Sequence, residues 1–123
     1  MEFAMCAEFL EADVWEGRLR DAAAPCAVEI TECNSVRSLL PVLELKPFSL
    51  LIVMLNGVAG LDAVRKIRAR QPETPLLWVS DEDFSLLGYQ YHVTCFLHGP
   101  VCDAELREAV KNCLCFREER RKK

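Results

Sequence analysis

The stretch that decides the fold is residues 48–55, with the sequence FSLLIVML. Seven of these eight residues are apolar, so the segment lacks the polar alternation of a half-exposed strand. A strand of this composition is covered on both faces, as at the centre of a parallel sheet with helices on either side. The run is far shorter than the ~20 residues needed to span a bilayer. It therefore predicts the central strand of an α/β domain.

On both sides of this stretch, short apolar segments alternate with segments of helical periodicity. The predicted strands are residues 3–6, 26–31, 48–55, 76–80 and 93–97. Strict alternation within one domain favours right-handed crossovers and a doubly wound parallel sheet. Five strands and five helices predict an α/β (βα)5 flavodoxin-like fold with strand order 2-1-3-4-5. Ligands of such folds lie outside the carboxyl ends of strands one and three.

Local signals place the ends of the predicted helices. Asn34 or Ser35 is a candidate N-cap of the second helix, which Pro41 must kink or shorten. Asp103 is a candidate cap of the last helix, which extends toward the basic residues 117–123. We therefore expect a domain over residues 1–116, followed by a basic linker or tail.

The composition limits the classes of function. The chain has 123 residues and a net charge of −4, so we expect one domain and no direct binding of nucleic acid by this segment. The seven cysteines are an odd number, and Cys6, Cys26 and Cys95 fall in apolar runs where free Cys packs as a small apolar residue. Cys113 and Cys115 point about 200° apart on a helix, which argues against a shared metal. A reducing, cytoplasmic location follows.

With the elements placed, a family resemblance becomes visible. Residues 55–68 (LNGVAGLDAVRKIR) are similar to the Met-Pro-Gly-Met-Asp-Gly turn and third helix of response-regulator receiver domains. Residues 95–101 (CFLHGPV) are similar to the Asp-Tyr-Leu-Leu-Lys-Pro run of that family. Residues 1–8 (MEFAMCAE) and 87–93 (LGYQYHV) are similar to the LytTR subgroup. The chain resembles a degenerate receiver domain of a two-component response regulator.

The resemblance implies where the phosphorylation site of such a domain would fall. The phosphoacceptor position is Ile52 or Val53, and further slippage of the match reaches Met54. None of the three carries the carboxylate that acyl-phosphate formation requires. The acid pair that holds magnesium corresponds to Ala7 and Glu8, so one acid remains.

Three further positions of the family can be compared. The Lys position corresponds to Gly99, beside His98, and the Ser or Thr position corresponds to Ser80. Phe96 matches the switch aromatic. These losses predict that phosphorylation by the usual route does not occur, that no cofactor is needed, that magnesium does not bind, and that the domain is not an enzyme.

Each retained residue also has a structural explanation. Glu8 is a candidate first-turn acid or helix cap, and Ser80 a candidate cap of a helix beginning at Asp81. His98 is compatible with an exposed strand end, and Phe96 with the core or a contact surface.

The expected role is that of a phosphorylation-independent regulatory or dimerisation module of a transcriptional regulator. Its homodimer would form through the fourth helix, fifth strand and fifth helix, with no membrane contact, and a DNA-binding domain would follow Lys123. One alternative is a phosphocysteine carrier of a sugar phosphotransferase system using Cys6, although residues 7–10 (AEFL) lack the small residues of a phosphate-binding loop. The other is a small-molecule sensor in the emptied pocket.

Overall fold

The computed structural model describes residues 1–8 and 11–122, with side chains described as far as residue 115. The strands are β1 Glu2–Ala7, β2 Glu29–Cys33, β3 Leu50–Met54, β4 Leu76–Ser80 and β5 Cys95–His98. The helices are α1 Ala12–Ala23, α2 Val36–Leu43, α3 Gly57–Arg70, α4 Ser85–Gln90 and α5 Asp103–Lys122. The strands form one parallel sheet in the order β2-β1-β3-β4-β5. The predicted doubly wound flavodoxin-like fold is confirmed.

The centre of the sheet is β3, and all five of its residues are buried. Its side chains alternate between two core layers. Ile52 and Met54 pack in the layer with α1 and α5, whereas Leu51 and Val53 pack in the layer with α2 and α3. An apolar residue is therefore required at every position of the strand, which is why its sequence shows no alternation.

Two predicted helix signals have different outcomes. The hydroxyl oxygen of Ser35 accepts a hydrogen bond from the backbone N–H of Ser38 at 3.2 Å, so Ser35 is the N-cap of α2. Pro41 lies inside this helix, which ends two residues later. The cap predicted at Asp103 is wrong, because Asp103 is itself the first residue of α5. Its carboxylate accepts from Arg18 Nε at 2.9 Å and ties α5 to α1 instead.

The second strand starts later than predicted. Cys26 is exposed in a turn in which its N–H donates to the carbonyl of Ala23 at 3.0 Å. The prediction that Cys26 lies in a strand is therefore wrong. Pairing with β1, which brings Glu2 opposite Glu29 and Cys6 opposite Cys33, determines where the strand begins.

The carboxyl-terminal part of the chain continues α5 through Lys122. Residues 117–122 are thus helical in backbone, and residue 123 lies outside the described residues. Among the described helices, none combines the length and apolarity needed to cross a membrane.

Candidate functional site

A cleft of about 310 Å³ opens at the carboxyl ends of β3 and β4. It lies at the edge of the sheet where doubly wound folds hold their ligands. Residues that line it include Trp15, Met54, Asn56, Ser80, Asp81 and Gly99. The side chains combine an apolar floor with a polar and acidic rim.

The residue that β3 presents to this cleft is Met54. It is the last residue of the strand, pairs with Ala7 of β1 and is 4% exposed. Ile52 and Val53 lie further back in the strand and are fully buried, one in each core layer. Which of them corresponds to the acceptor stays a prediction. The structure adds that a thioether, which cannot form an acyl phosphate, occupies the strand end.

The positions of the predicted acid pair diverge. Ala7 is buried at the end of β1 and lines a neighbouring cleft, whereas Glu8 is exposed. The helix α1 is described from Ala12, and its N-cap residue Glu11 makes no side-chain capping bond. The helix-cap interpretation of Glu8 stays a prediction, because residues 9 and 10 lie outside the described residues. The backbone carbonyl of Glu8 accepts from the N–H of Glu11 at 3.0 Å.

Ser80 and Gly99 meet at the ends of β4 and β5. The Gly99 N–H donates to the Ser80 carbonyl at 2.9 Å, and the buried Ser80 hydroxyl oxygen accepts from the Glu82 N–H at 3.2 Å. Because α4 begins only at Ser85, the prediction that Ser80 caps a helix starting at Asp81 is wrong. Gly99 has φ +74°, a conformation that strains any residue with a side chain. A lysine here would have room, but it would cost backbone strain.

The exposed His98 ends β5 opposite Ser80, near Asp83. Asp83 accepts from the N–H of Ser85 at 3.0 Å. Hydrogen bonds from Ser85, with a smaller contribution from the charge of His98, hold the pKa of Asp83 below its ordinary value. This arrangement tightens the turn before α4, and His98 is not among the described residues that line the cleft.

Phe96 belongs to an aromatic group around Trp78 of β4. The rings of Phe96 and Trp78 meet edge to face at 5.2 Å between centroids, and Phe84 stacks on Trp78 at the same distance. Phe96 is half-buried, as its core or contact-surface interpretation requires. The indole N–H of Trp78 is buried beside Gly60 and has no hydrogen-bond partner among the described residues. The sequence marked Trp78 only as part of a buried strand.

Cys6 is fully buried in β1. Burial, with a smaller effect of neighbouring Cys33, raises the pKa of the Cys6 thiol to about 12. Because the thiolate is the nucleophile, this position opposes the phosphocysteine alternative. Cys113 is buried and Cys115 exposed, which confirms that the two point in different directions.

Sequence reasoning missed a group of acids on the other side of β1. One carboxylate oxygen from each of Asp13, Glu16 and Glu32 lies within 4.8 Å of the others. A hydrogen bond with Glu16 raises the pKa of Glu32 to about 7, whereas the same bond and that from Arg20 lower the pKa of Glu16. The three-residue spacing on α1 signalled that Asp13 and Glu16 share a face, but nothing local placed Glu32 beside them.

These carboxylates could serve as ligands of a divalent cation, since oxygen is the ligand such ions prefer. Two features compete with that use. Arg20 already pairs with Glu16 at 2.8 Å, and a hydrogen bond with Glu16 raises the pKa of Glu32 to about 7. The group is also separate from the residues that line the cleft at the end of β3.

Solved structures include proteins that are similar to this chain. No protein-family model matches the chain, and no curated protein matches it. The response regulatory domain of protein mrkE from Klebsiella pneumoniae is similar with TM-score 0.79 and 10% identity, covering 97% of this chain and 99% of that chain. A CheY-like response regulator receiver domain protein from Methanospirillum hungatei is similar with TM-score 0.78 and 16% identity, covering 97% of this chain and 96% of that chain. A third similar structure is the receiver domain of a Pseudomonas aeruginosa sensor histidine kinase, which has magnesium in its active-site cleft. Its TM-score is 0.73 and its identity 16%, covering 93% of this chain and 97% of that chain.

The order of the strands and the cleft at their carboxyl ends define a doubly wound flavodoxin-like domain. The solved structures specify it further as the fold of a response-regulator receiver domain. Identities of this size assign the fold, and function is argued from the residues of the site.

Proposed function

We propose that this chain is a pseudo-receiver: a receiver-fold domain that is not phosphorylated at the usual site and regulates through protein contacts. The observation that carries the proposal is Met54, an apolar side chain at the strand end that faces the cleft. Phosphoryl transfer to such a site needs a carboxylate nucleophile and charges that neutralise the phosphoryl oxygens. The cleft lining offers Glu11 and Asp81 at its rim and no lysine or arginine among the described residues.

The absence of the nucleophile and of the cation reinforce each other. An incoming phosphoryl group would meet carboxylates without a counter-charge, which is unfavourable in a partly enclosed site. We therefore propose that the domain is no enzyme and uses neither magnesium nor another cofactor at this cleft. The acid group on α1 and β2 does not replace the lost site, because its oxygens lie on the opposite side of β1.

A face for protein contact is available on the α4 side. Leu86 and Tyr89 of α4 are 71% and 81% exposed, and the edge strand β5 beside it is only half-buried at Phe96. Exposed apolar side chains next to an unpaired strand edge favour association. We propose that this face, with α5, forms a homodimer that is independent of phosphoryl donors.

Sedimentation velocity with and without beryllofluoride and magnesium tests both parts. The expected result is a dimer mass that the phosphoryl analogue does not change. Leu86→Asp and Tyr89→Asp should each shift the mass toward the monomer, whereas Val58→Asp on α3, with its parent residue 78% exposed, should not. A mass that rises only with the analogue would contradict independence from phosphorylation. A monomer under every condition would contradict the dimer.

We further propose that the domain serves a cytoplasmic transcriptional regulator of the LytTR type, with residues 117–123 leading to a DNA-binding domain. The helical backbone through Lys122 is compatible with such a connection. Reading the codons that follow Lys123 tests this directly. A stop codon there, or a module unrelated to DNA binding, would contradict it.

A second candidate function is small-molecule sensing by the cleft. The observation that favours it is that the space at the end of β3 stays open, at about 310 Å³, instead of being filled by its neighbours. Trp15 lines it and provides a fluorescent reporter. A ligand that changes wild-type emission and loses that effect in Trp15→Phe, while protecting both proteins from heat, would support sensing.

A further inference from the structure

A groove separate from the cleft runs between α2 and α3. It encloses about 650 Å³ and is lined by Val36, Arg37, Leu40, Lys66, Ala69 and Arg70, together with Pro41. The eight-residue helix α2 is about 12 Å long, so the groove has the length of about two turns of a helix. A groove of this volume lies within the range of ordinary binding sites.

The floor of the groove is apolar. Val36 and Leu40 lie one turn apart on α2, and both are half-buried against the core layer of β3. Ala69 is a small, exposed residue that lines the groove from α3. The floor offers two adjacent places for apolar anchors of a partner.

The rim is cationic, in a chain whose net charge is −4. Arg37, Lys66 and Arg70 line the groove, and no carboxylate does among the described residues. Lys66 pairs with Asp62 at 3.0 Å and Arg70 pairs with Glu44 at 3.2 Å. Both ion pairs are solvent-exposed, so they are weak and can be exchanged for carboxylates of a partner.

We propose that this α2–α3 groove docks an acidic amphipathic helical segment of another protein, with two apolar anchors on the floor and carboxylates against the rim. Charge complementarity selects an acidic partner. The apolar floor selects a protein segment over nucleic acid, because a sugar-phosphate backbone offers nothing to bury there. The proposal is independent of the proposed dimer, which uses α4, β5 and α5 instead of α2 and α3.

The probe is a fluorescein-labelled peptide of about 12 residues with Leu at helical spacing on one face and Glu on the other. Fluorescence anisotropy with the whole chain should show saturable binding that weakens as salt is added. Arg70→Glu should weaken binding about tenfold, because it loses an attraction and adds a repulsion. Arg65→Glu is the matched control: Arg65 also lies on α3, is exposed and pairs with a carboxylate, but does not line the groove.

A second pair of variants tests the floor. Leu40→Ala should weaken binding, whereas Val58→Ala, at an exposed position near the start of α3, should not. Circular dichroism confirms that each variant is folded before binding is compared. Equal losses for Arg65→Glu and Arg70→Glu would overturn the proposal, as would no binding. Equal binding of a peptide with Ser in place of Leu, or tighter binding to duplex DNA or phosphatidylglycerol vesicles, would also overturn it.

Discussion

Two regions at the carboxyl edge of the sheet differ in where they hold carboxylates. At the end of β3, the residue that faces the cleft is the apolar Met54. On the other side of β1, Asp13, Glu16 and Glu32 bring three carboxylates within 4.8 Å of one another. The chain therefore has acids near this edge, but not at the strand end where phosphoryl transfer would need one. Position, more than the number of acids, decides the chemistry of the edge.

The difference follows from burial. Met54 is 4% exposed and pairs with Ala7 of β1, so an unpaired charge there would be costly. Asp13 and Glu32 are exposed, and a hydrogen bond with Glu16 raises the pKa of Glu32, which favours its neutral form. Carboxylates are therefore tolerated on the solvent-exposed side of β1, whereas a carboxylate would be costly at the buried end of β3.

The largest expected effect comes from placing a carboxylate inside β3. Ile52→Asp buries a charge at a fully buried position and should destabilise the domain by at least about 3 kcal/mol. Met54→Asp, at the strand end, should cost clearly less. Urea denaturation measures both. Equal costs would show that the strand end is no more accessible than the strand interior.

The same variants test whether the cleft lacks only its acceptor. Met54→Asp should not be labelled by acetyl phosphate with magnesium, because Gly99 supplies no cation and Ala7 no second acid. Intact-protein mass spectrometry gives the result. Labelling of Met54→Asp at its new carboxylate would show that the rest of the site still functions.

A smaller effect is expected where the first turn of α3 approaches the end of β3. A Cβ on Gly60 would lie 2.0 Å from the carbonyl oxygen of Leu55, so Gly60→Ala should cost about 2 kcal/mol as α3 shifts. Gly17 on α1 has nothing within 4 Å of the same position, and Gly17→Ala should stabilise the domain by about 1 kcal/mol. Thermal unfolding compares the two. Similar changes in both variants would contradict the close approach of α3 to β3.

The smallest effect concerns the cluster of three acidic residues, Asp13, Glu16 and Glu32. The pKa of Glu32 is about 7 in the folded domain, above its ordinary value, because of its hydrogen bond with Glu16. The folded state therefore binds more protons, and this stabilisation is complete below pH ~4.5 and lost as pH rises through about 7. Between pH 5 and 8, the Tm of the wild type should fall about 2 °C relative to that of Glu32→Gln, since solvent screens the pair.

Glu29→Gln provides the control for this pH dependence. Glu29 is exposed on the same strand but does not belong to the acid group. Its Tm should follow that of the wild type across the same range. A parallel pH dependence in wild type, Glu32→Gln and Glu29→Gln would contradict the raised pKa of Glu32.

Much of the fold could be predicted because its signals are local. The apolar run of residues 48–55 indicated a strand buried on both faces, and residues 76–80 matched β4 at both ends. Ser35 was among the predicted caps and is the observed one. The start of β2 was placed wrongly, because pairing with β1 depends on a distant part of the chain. The capping role predicted for Asp103 failed as well, because its carboxylate pairs with the distant Arg18.

The candidate site, like the fold, could be predicted from the sequence only in part. That none of Ile52, Val53 and Met54 carries a carboxylate is a property of the sequence by itself, and it holds in every register. The tertiary structure decided that Met54 is the one facing the cleft, because strand pairing sets where β3 ends.

The sequence by itself determined a parallel α/β sheet without an acceptor carboxylate at its central strand, since burial on both faces dictates residue type locally. Only the tertiary structure decided which charges meet. Glu32 joins Glu16, and Arg37 joins Lys66 and Arg70, across pairs of elements that are distant in the chain. Contacts between such distant charged side chains depend on strand register and helix packing, which no local pattern of residues encodes.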